Sequence, residues 1–111
     1  MKILPEKIIE KILVSEVRKA GGKAYKWVSP GNIGVPDRIV IWPCGFISFI
    51  ELKKHGEKTT KIQDKQIETL RGFDMDVRVV IGLQGLADYF SSECQWDAVE
   101  RIEQRLDRGE R

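Results

Sequence analysis

The stretch Phe46-Ile47-Ser48-Phe49-Ile50-Glu51-Leu52-Lys53 constrains the fold most, because it is a strand-forming apolar run with a charged pair inside it. Successive side chains of a strand point to opposite faces, so Glu51 and Lys53 emerge together while Ile50 and Leu52 face the other way. The run Arg38 to Trp42 just before it is also rich in strand formers, and Pro43-Cys44-Gly45 reads as a turn. Two such runs joined by a short turn predict an antiparallel hairpin. That pairing brings Asp37 opposite the Glu51 end, where two carboxylates beside a lysine can share one cation.

The flanking segments supply a small α/β frame. Pro5 suits the first turn of a helix over residues 5–20, with Ile8, Ile9, Ile12, Leu13, Val17 and Ala20 at helical spacing and Gly21-Gly22 ending it. Glu10 falls on the edge of the apolar arc, in line with Leu13 and Val17, whereas Glu16 falls near its middle. A buried Glu16 needs a partner, and Arg38 is a candidate; otherwise the helix is rotated and Glu16 replaces Glu10 at the carboxylate site. Residues 23–28 read as a short strand, followed by a turn-rich loop, Ser29-Pro30-Gly31-Asn32-Ile33-Gly34, that leads into Asp37. Glycines there let backbone approach a phosphate, and Lys26 and Ser29 offer charge and a hydroxyl; a plain connecting loop is the alternative. Thr60 can cap a helix over 61–72 with Ile62, Gln66 or Ile67, and Leu70 inward. A strand over 77–81 and a helix over 83–90 follow. Ser91-Ser92-Glu93 reads as the start of a tail helix carrying Trp96, Val99, Ile102 and Leu106, which divides the chain into a domain over 1–90 and a helical tail over 91–111.

At 111 residues the chain fits one small domain, and its hydrophobic and charged fractions of 41% and 32% are those of a globular protein without a membrane span. The beginning of the chain lacks a signal-peptide core, so the expectation is a cytoplasmic protein. Cys44 and Cys94 form no CxxC pair and there is one histidine, which excludes a zinc-ligand set and leaves the two as free thiols. The formal charge of +2 does not by itself indicate nucleic acid. Local clustering does, because Lys53, Lys54, His55, Lys58 and Lys61 crowd the segment after the Glu51 strand, although such a run also suits a solvated loop.

Together, Pro36-Asp37 and Glu51-Leu52-Lys53 resemble the PD-(D/E)XK nuclease signature. Lys26-Trp27-Val28-Ser29-Pro30-Gly31, Gly34-Val35-Pro36-Asp37-Arg38, Phe49-Ile50-Glu51-Leu52-Lys53 and the downstream Gln63 resemble the virus-type replication-repair nuclease (VRR-NUC) branch over roughly residues 7–90. The resemblance implies a restriction-endonuclease-like α/β fold with a central mixed sheet flanked by helices. It also implies that Glu10, three residues before Leu13, belongs to the metal site, and that Gln63, or the nearby Gln66, lies close to the catalytic centre.

The chemistry of the residues agrees with that expectation. Hard Mg²⁺ or Mn²⁺ prefers oxygen ligands, and Asp37, Glu51 and the Leu52 main-chain carbonyl supply three without histidine. Glu10 can hold a second ion or orient a water, and Lys53 can position the attacking water or stabilise developing charge. The expected catalytic set is Glu10, Asp37, Glu51, Lys53 and Gln63, with Lys26, Ser29, Lys54, His55, Lys58 and Lys61 on DNA. No insertion is long enough to read bases, so recognition of DNA shape is favoured. Stand-alone VRR-NUC domains resemble four-way (Holliday) junction resolvases in size and layout, which implies a homodimer acting on branched DNA. Flap or nicking activity, and a non-catalytic DNA-binding module on the same fold, are the alternatives.

Overall fold

The computed structural model describes residues 1–111. Four strands form one mixed sheet in the order β1 (Lys23–Lys26), β2 (Arg38–Ile41), β3 (Ile47–Lys53) and β4 (Asp76–Ile81). The first two pairings are antiparallel and β3 pairs with β4 in parallel. A parallel pair cannot be closed by a tight turn, and helix α2 (Lys61–Gly72) makes the crossover. The fold is therefore the mixed α/β sheet flanked by helices that the sequence predicts.

Sheet alternation divides the molecule into two sides. Ala24, Val40, Ile50, Leu52 and Val80 join the main core with Ile9, Leu13 and Val17 of α1 (Glu6–Lys19) and Leu83, Leu86 and Phe90 of α3 (Gly82–Ser92). Ile67 of α2 and Val77 of β4 are buried outside this cluster, on the opposite side of the sheet. Trp42 closes the main core beneath the β2–β3 turn, where its indole N–H donates to the Tyr89 hydroxyl at 3.1 Å and its ring meets Phe90 edge-on.

The tail is part of this core. Helix α4 (Trp96–Asp107) buries Ala98 and Ile102 in the main cluster, with Val99 and Leu106 packed against it, and leaves Trp96 exposed. Ser91 and Ser92 do not start this helix, as their type suggests, but complete α3. Burial of Tyr89 and Phe90 carries α3 through them, and the chain reverses only at Cys94, whose φ of 57° is left-handed, with the Gln95 N–H returning to the Phe90 carbonyl at 2.9 Å.

Glu16 lies under α4 and pairs with Arg101, not with Arg38. The Arg101 guanidinium donates three hydrogen bonds of 2.7 to 3.1 Å to a carboxylate that is only 5% exposed. Removing one partner of a buried pair leaves the other charge stranded, at a cost of about 3 kcal/mol or more. Arg101 is itself partly in water, which reduces the cost, and Arg101→Ala is expected to lower the midpoint of urea denaturation, because it leaves the buried Glu16 carboxylate without its guanidinium.

Two local features position the loop before β2. Thr60 caps α2 through a reciprocal box with Gln63, in which the Gln63 N–H donates to the Thr60 hydroxyl at 3.2 Å and the Thr60 N–H donates to the Gln63 side-chain oxygen at 2.9 Å. Gly34 has a left-handed φ of +87° and lies so close to this first turn that a Cβ would collide with the Ile62 side chain. Gly34→Ala is accordingly expected to push the loop off α2, lowering the melting temperature by several degrees in a calorimetric scan.

Candidate active site

The β2–β3 register decides where the carboxylates meet. Arg38 pairs with Ile50, so Asp37, one residue earlier, stands opposite Glu51. Asp37 is fixed there twice: one carboxylate oxygen accepts from the Leu52 N–H at 2.8 Å, and its main-chain carbonyl accepts from the Trp27 N–H at 3.0 Å. Pro36 before it is buried and contributes a rigid φ. The side chains of Glu51 and Lys53 share the sheet face that carries α2.

Glu51 is the anomalous residue of the fold. It is 1% exposed, and its Oε1 is buried with no hydrogen-bond partner. Burial, followed by the charge of Asp37 opposite, pushes its carboxyl up to about 8, while the Lys53 ammonium acts in the opposite sense. An unpartnered buried carboxylate oxygen facing a second carboxylate is costly for a merely structural site. It is the arrangement expected where a cation completes the charge balance. No three His, Cys, Asp or Glu side chains gather as a cage, so a cation here would draw on Asp37, Glu51 and the Leu52 carbonyl, with water or substrate filling the other positions. Mg²⁺, which keeps several waters, suits such a partial set.

Known proteins share both sequence and fold with this chain. No family profile matches the chain. The protein named "Putative nuclease p44" of Acyrthosiphon pisum secondary endosymbiont phage 1 is 52% identical over 81 residues, which span 73% of this chain and 85% of that protein. A solved structure of a VRR_NUC domain superposes with a TM-score of 0.66 over 92% of this chain and 94% of its own, at 24% identity, and so shares the fold. The chain belongs to the family of this phage nuclease and has the fold of the VRR_NUC domain.

In this chain the helix carboxylates are arranged by the rotation of α1. Glu10 turns to Arg38, whose Nε donates to it at 2.8 Å while the same guanidinium reaches the Ala24 carbonyl at 3.2 Å. Glu6 lies one turn earlier on α1: partial burial and then the Asp37 charge raise its pKa, Lys53 lowers it, and Glu57 and Glu10 raise it further. Sequence reading missed Glu6. The available signal was its position four residues before Glu10, which puts both on one side of the helix.

The remaining candidates surround this centre. Gln63 is engaged in the α2 cap, and the Gln66 side chain donates to the Ile33 carbonyl at 3.1 Å, bracing the loop that leads to Asp37. Ser29 accepts from Asn32 within that loop at 3.0 Å. Lys26 is exposed on β1, while Lys54 pairs loosely with Glu57 at 3.6 Å. His55 packs against Gly82, and Lys58 and Lys61 are exposed on the approach to α2. A groove of about 470 Å³ between α1 and α4 includes none of the carboxylate site.

Proposed function

We propose that this nuclease is a divalent-metal-dependent, structure-selective DNA endonuclease that cleaves four-way junctions as a homodimer. The observation that carries the reading is the buried, unpartnered Glu51 oxygen facing Asp37 beside Lys53. Bound Mg²⁺ or Mn²⁺ would neutralise phosphate charge and lower the pKa of water. Asp37 and Glu51 are the carboxylates suited to hold it, together with the Leu52 carbonyl. Lys53, on the same strand face, is placed to orient the attacking water or to offset charge on the reacting phosphate. Glu6 and Glu10 are alternative third carboxylates, and their substitution separates them. If the residue that senses Asp37 does the work, Glu6→Gln slows cleavage at least tenfold, whereas Glu10→Gln chiefly frees Arg38 and has the smaller effect on the single-turnover rate.

Lys26, Ser29, Lys54, His55, Lys58 and Lys61 would contact phosphates, which position DNA without reading its sequence. One chain carries one carboxylate pair, and a junction needs two symmetric cuts, which a C₂ dimer supplies. Exposed Tyr25, Ile41 and Ile47 on the outer face of β1, β2 and β3 support such an association, since Ile41 and Ile47 are paired neighbours there. No helix is long and apolar enough to cross a membrane. A panel of labelled four-way, flap, nicked and linear DNAs, with light scattering on the bound species, tests the reading. It predicts paired junction cuts by a dimer; preferential flap or nick cleavage by a monomer would contradict the junction specificity.

A further inference from the structure

We propose that α1 carries a second phosphate-binding track, in which Lys7, Lys11 and Arg18, with Lys26 across a groove, hold the backbone of a DNA arm leading away from the cleaved bond. This rests on the endonuclease reading and specifies how the substrate lies. Residues 7, 11 and 18 fall within about 40° of one another on a helical wheel, forming one stripe roughly opposite the buried Ile9, Leu13 and Val17. The stripe borders a groove of about 460 Å³ whose other wall includes Lys26 and Arg38. A solvated helix face usually mixes charge signs. Here the one acid lining the groove is Glu10, which is already bonded to Arg38. Lys7, Lys11, Arg18 and Lys26 take part in none of the ion pairs of the fold.

The placement of the stripe gives it a direction. Its Lys7 end adjoins Glu6, which senses Asp37 and Lys53. Its Arg18 end lies about 16 Å further along the helix, at 1.5 Å per residue. At about 3.4 Å of rise per phosphate, that length spans roughly five phosphates of one strand. The basic segment after β3 and the α1 stripe would thus hold DNA on two sides of the carboxylate pair, with the stripe contributing affinity and little to the chemical step.

The test is the triple variant Lys7→Gln/Lys11→Gln/Arg18→Gln. Because these side chains are exposed, the variant is expected to keep its circular dichroism spectrum and melting temperature. Binding to a long-armed four-way junction is measured by fluorescence anisotropy in Ca²⁺ between about 50 and 200 mM salt, with single-turnover cleavage in Mg²⁺ at saturating protein. Every phosphate left without its protein cation lowers the slope of log affinity against log salt by about 0.9. The slope should therefore fall by about two to three and affinity at low salt by more than tenfold, with saturated cleavage within a few-fold of the parent. If the triple variant does not fold, the single variants Lys7→Gln and Lys11→Gln are each expected to lower the slope by about one. An unchanged slope in a folded variant would overturn the α1 track alone. Absence of salt-dependent binding and of cleavage in the parent protein would overturn the endonuclease reading and the track together.

Discussion

Asp37→Asn is expected to lower the single-turnover rate of DNA cleavage by about a thousand-fold or more, equivalent to about 4 kcal/mol of transition-state stabilisation. The substitution is selective. Asparagine retains a side-chain oxygen able to accept from the Leu52 N–H, so the bond that fixes the loop to β3 survives while the charge is lost. The melting temperature should stay within a few degrees of the parent below about pH 8, where Glu51 is protonated, and rise above it, where the like charge opposite an ionised Glu51 has gone. Loss of activity with a large loss of stability would instead show Asp37 acting as a structural brace.

Glu51→Gln is expected to have the largest pH-dependent effect on the metal-free protein. The Glu51 carboxyl is raised from 4.5 to about 8 in the fold, chiefly by burial and then by Asp37. The folded state therefore holds a proton that the unfolded state releases between these values. The stability associated with protonated Glu51 is fully present below about pH 4.5 and is lost as pH rises through about 8. Glutamine is neutral throughout and removes this loss. Thermal scans in EDTA should show Glu51→Gln melting about 5–10 °C above the parent at pH 8.5 and close to it at pH 4.5. A divalent cation should reverse the ranking at high pH, since it binds only the folded parent's ionised carboxylate. Parallel pH profiles for the two proteins in EDTA would show that Glu51 is not held protonated by the fold.

The parts of this site closest in sequence were the most legible. The β2–β3 hairpin follows from strand alternation around Pro43-Cys44-Gly45, and it alone sets Asp37 against Glu51. The α2 cap at Thr60 was equally readable, because its partner Gln63 lies three residues away. Legibility failed where a side chain's partner is distant. Arg101 is 85 residues from Glu16, and no periodicity links them, so the nearer Arg38 looked the better partner. Once α4 takes Glu16, Arg38 is free for Glu10, and the role of each α1 carboxylate follows from that exchange. Helical spacing places Glu6 and Glu10 on one side but does not give the rotation of α1 against the sheet, which decides which of them senses Asp37. The Ser91-Ser92 signal failed for another reason. Serine favours helix starts, but the buried Tyr89 and Phe90 continue α3 through this segment, and tertiary burial outweighs a local preference of about 1 kcal/mol.

The central claim is that Asp37 and Glu51 form one divalent-cation site, and titration calorimetry with Mn²⁺ at pH 7 in buffers of different ionisation enthalpy tests it most directly. Because Glu51 is held protonated below about 8, cation binding should expel its proton, so the observed heat should vary with the buffer by close to one proton per Mn²⁺ bound. Asp37→Asn should weaken binding by at least tenfold, and Glu51→Gln should both weaken it and abolish the proton release. Equal Mn²⁺ affinity in the parent and both variants, with no proton released, would contradict the account.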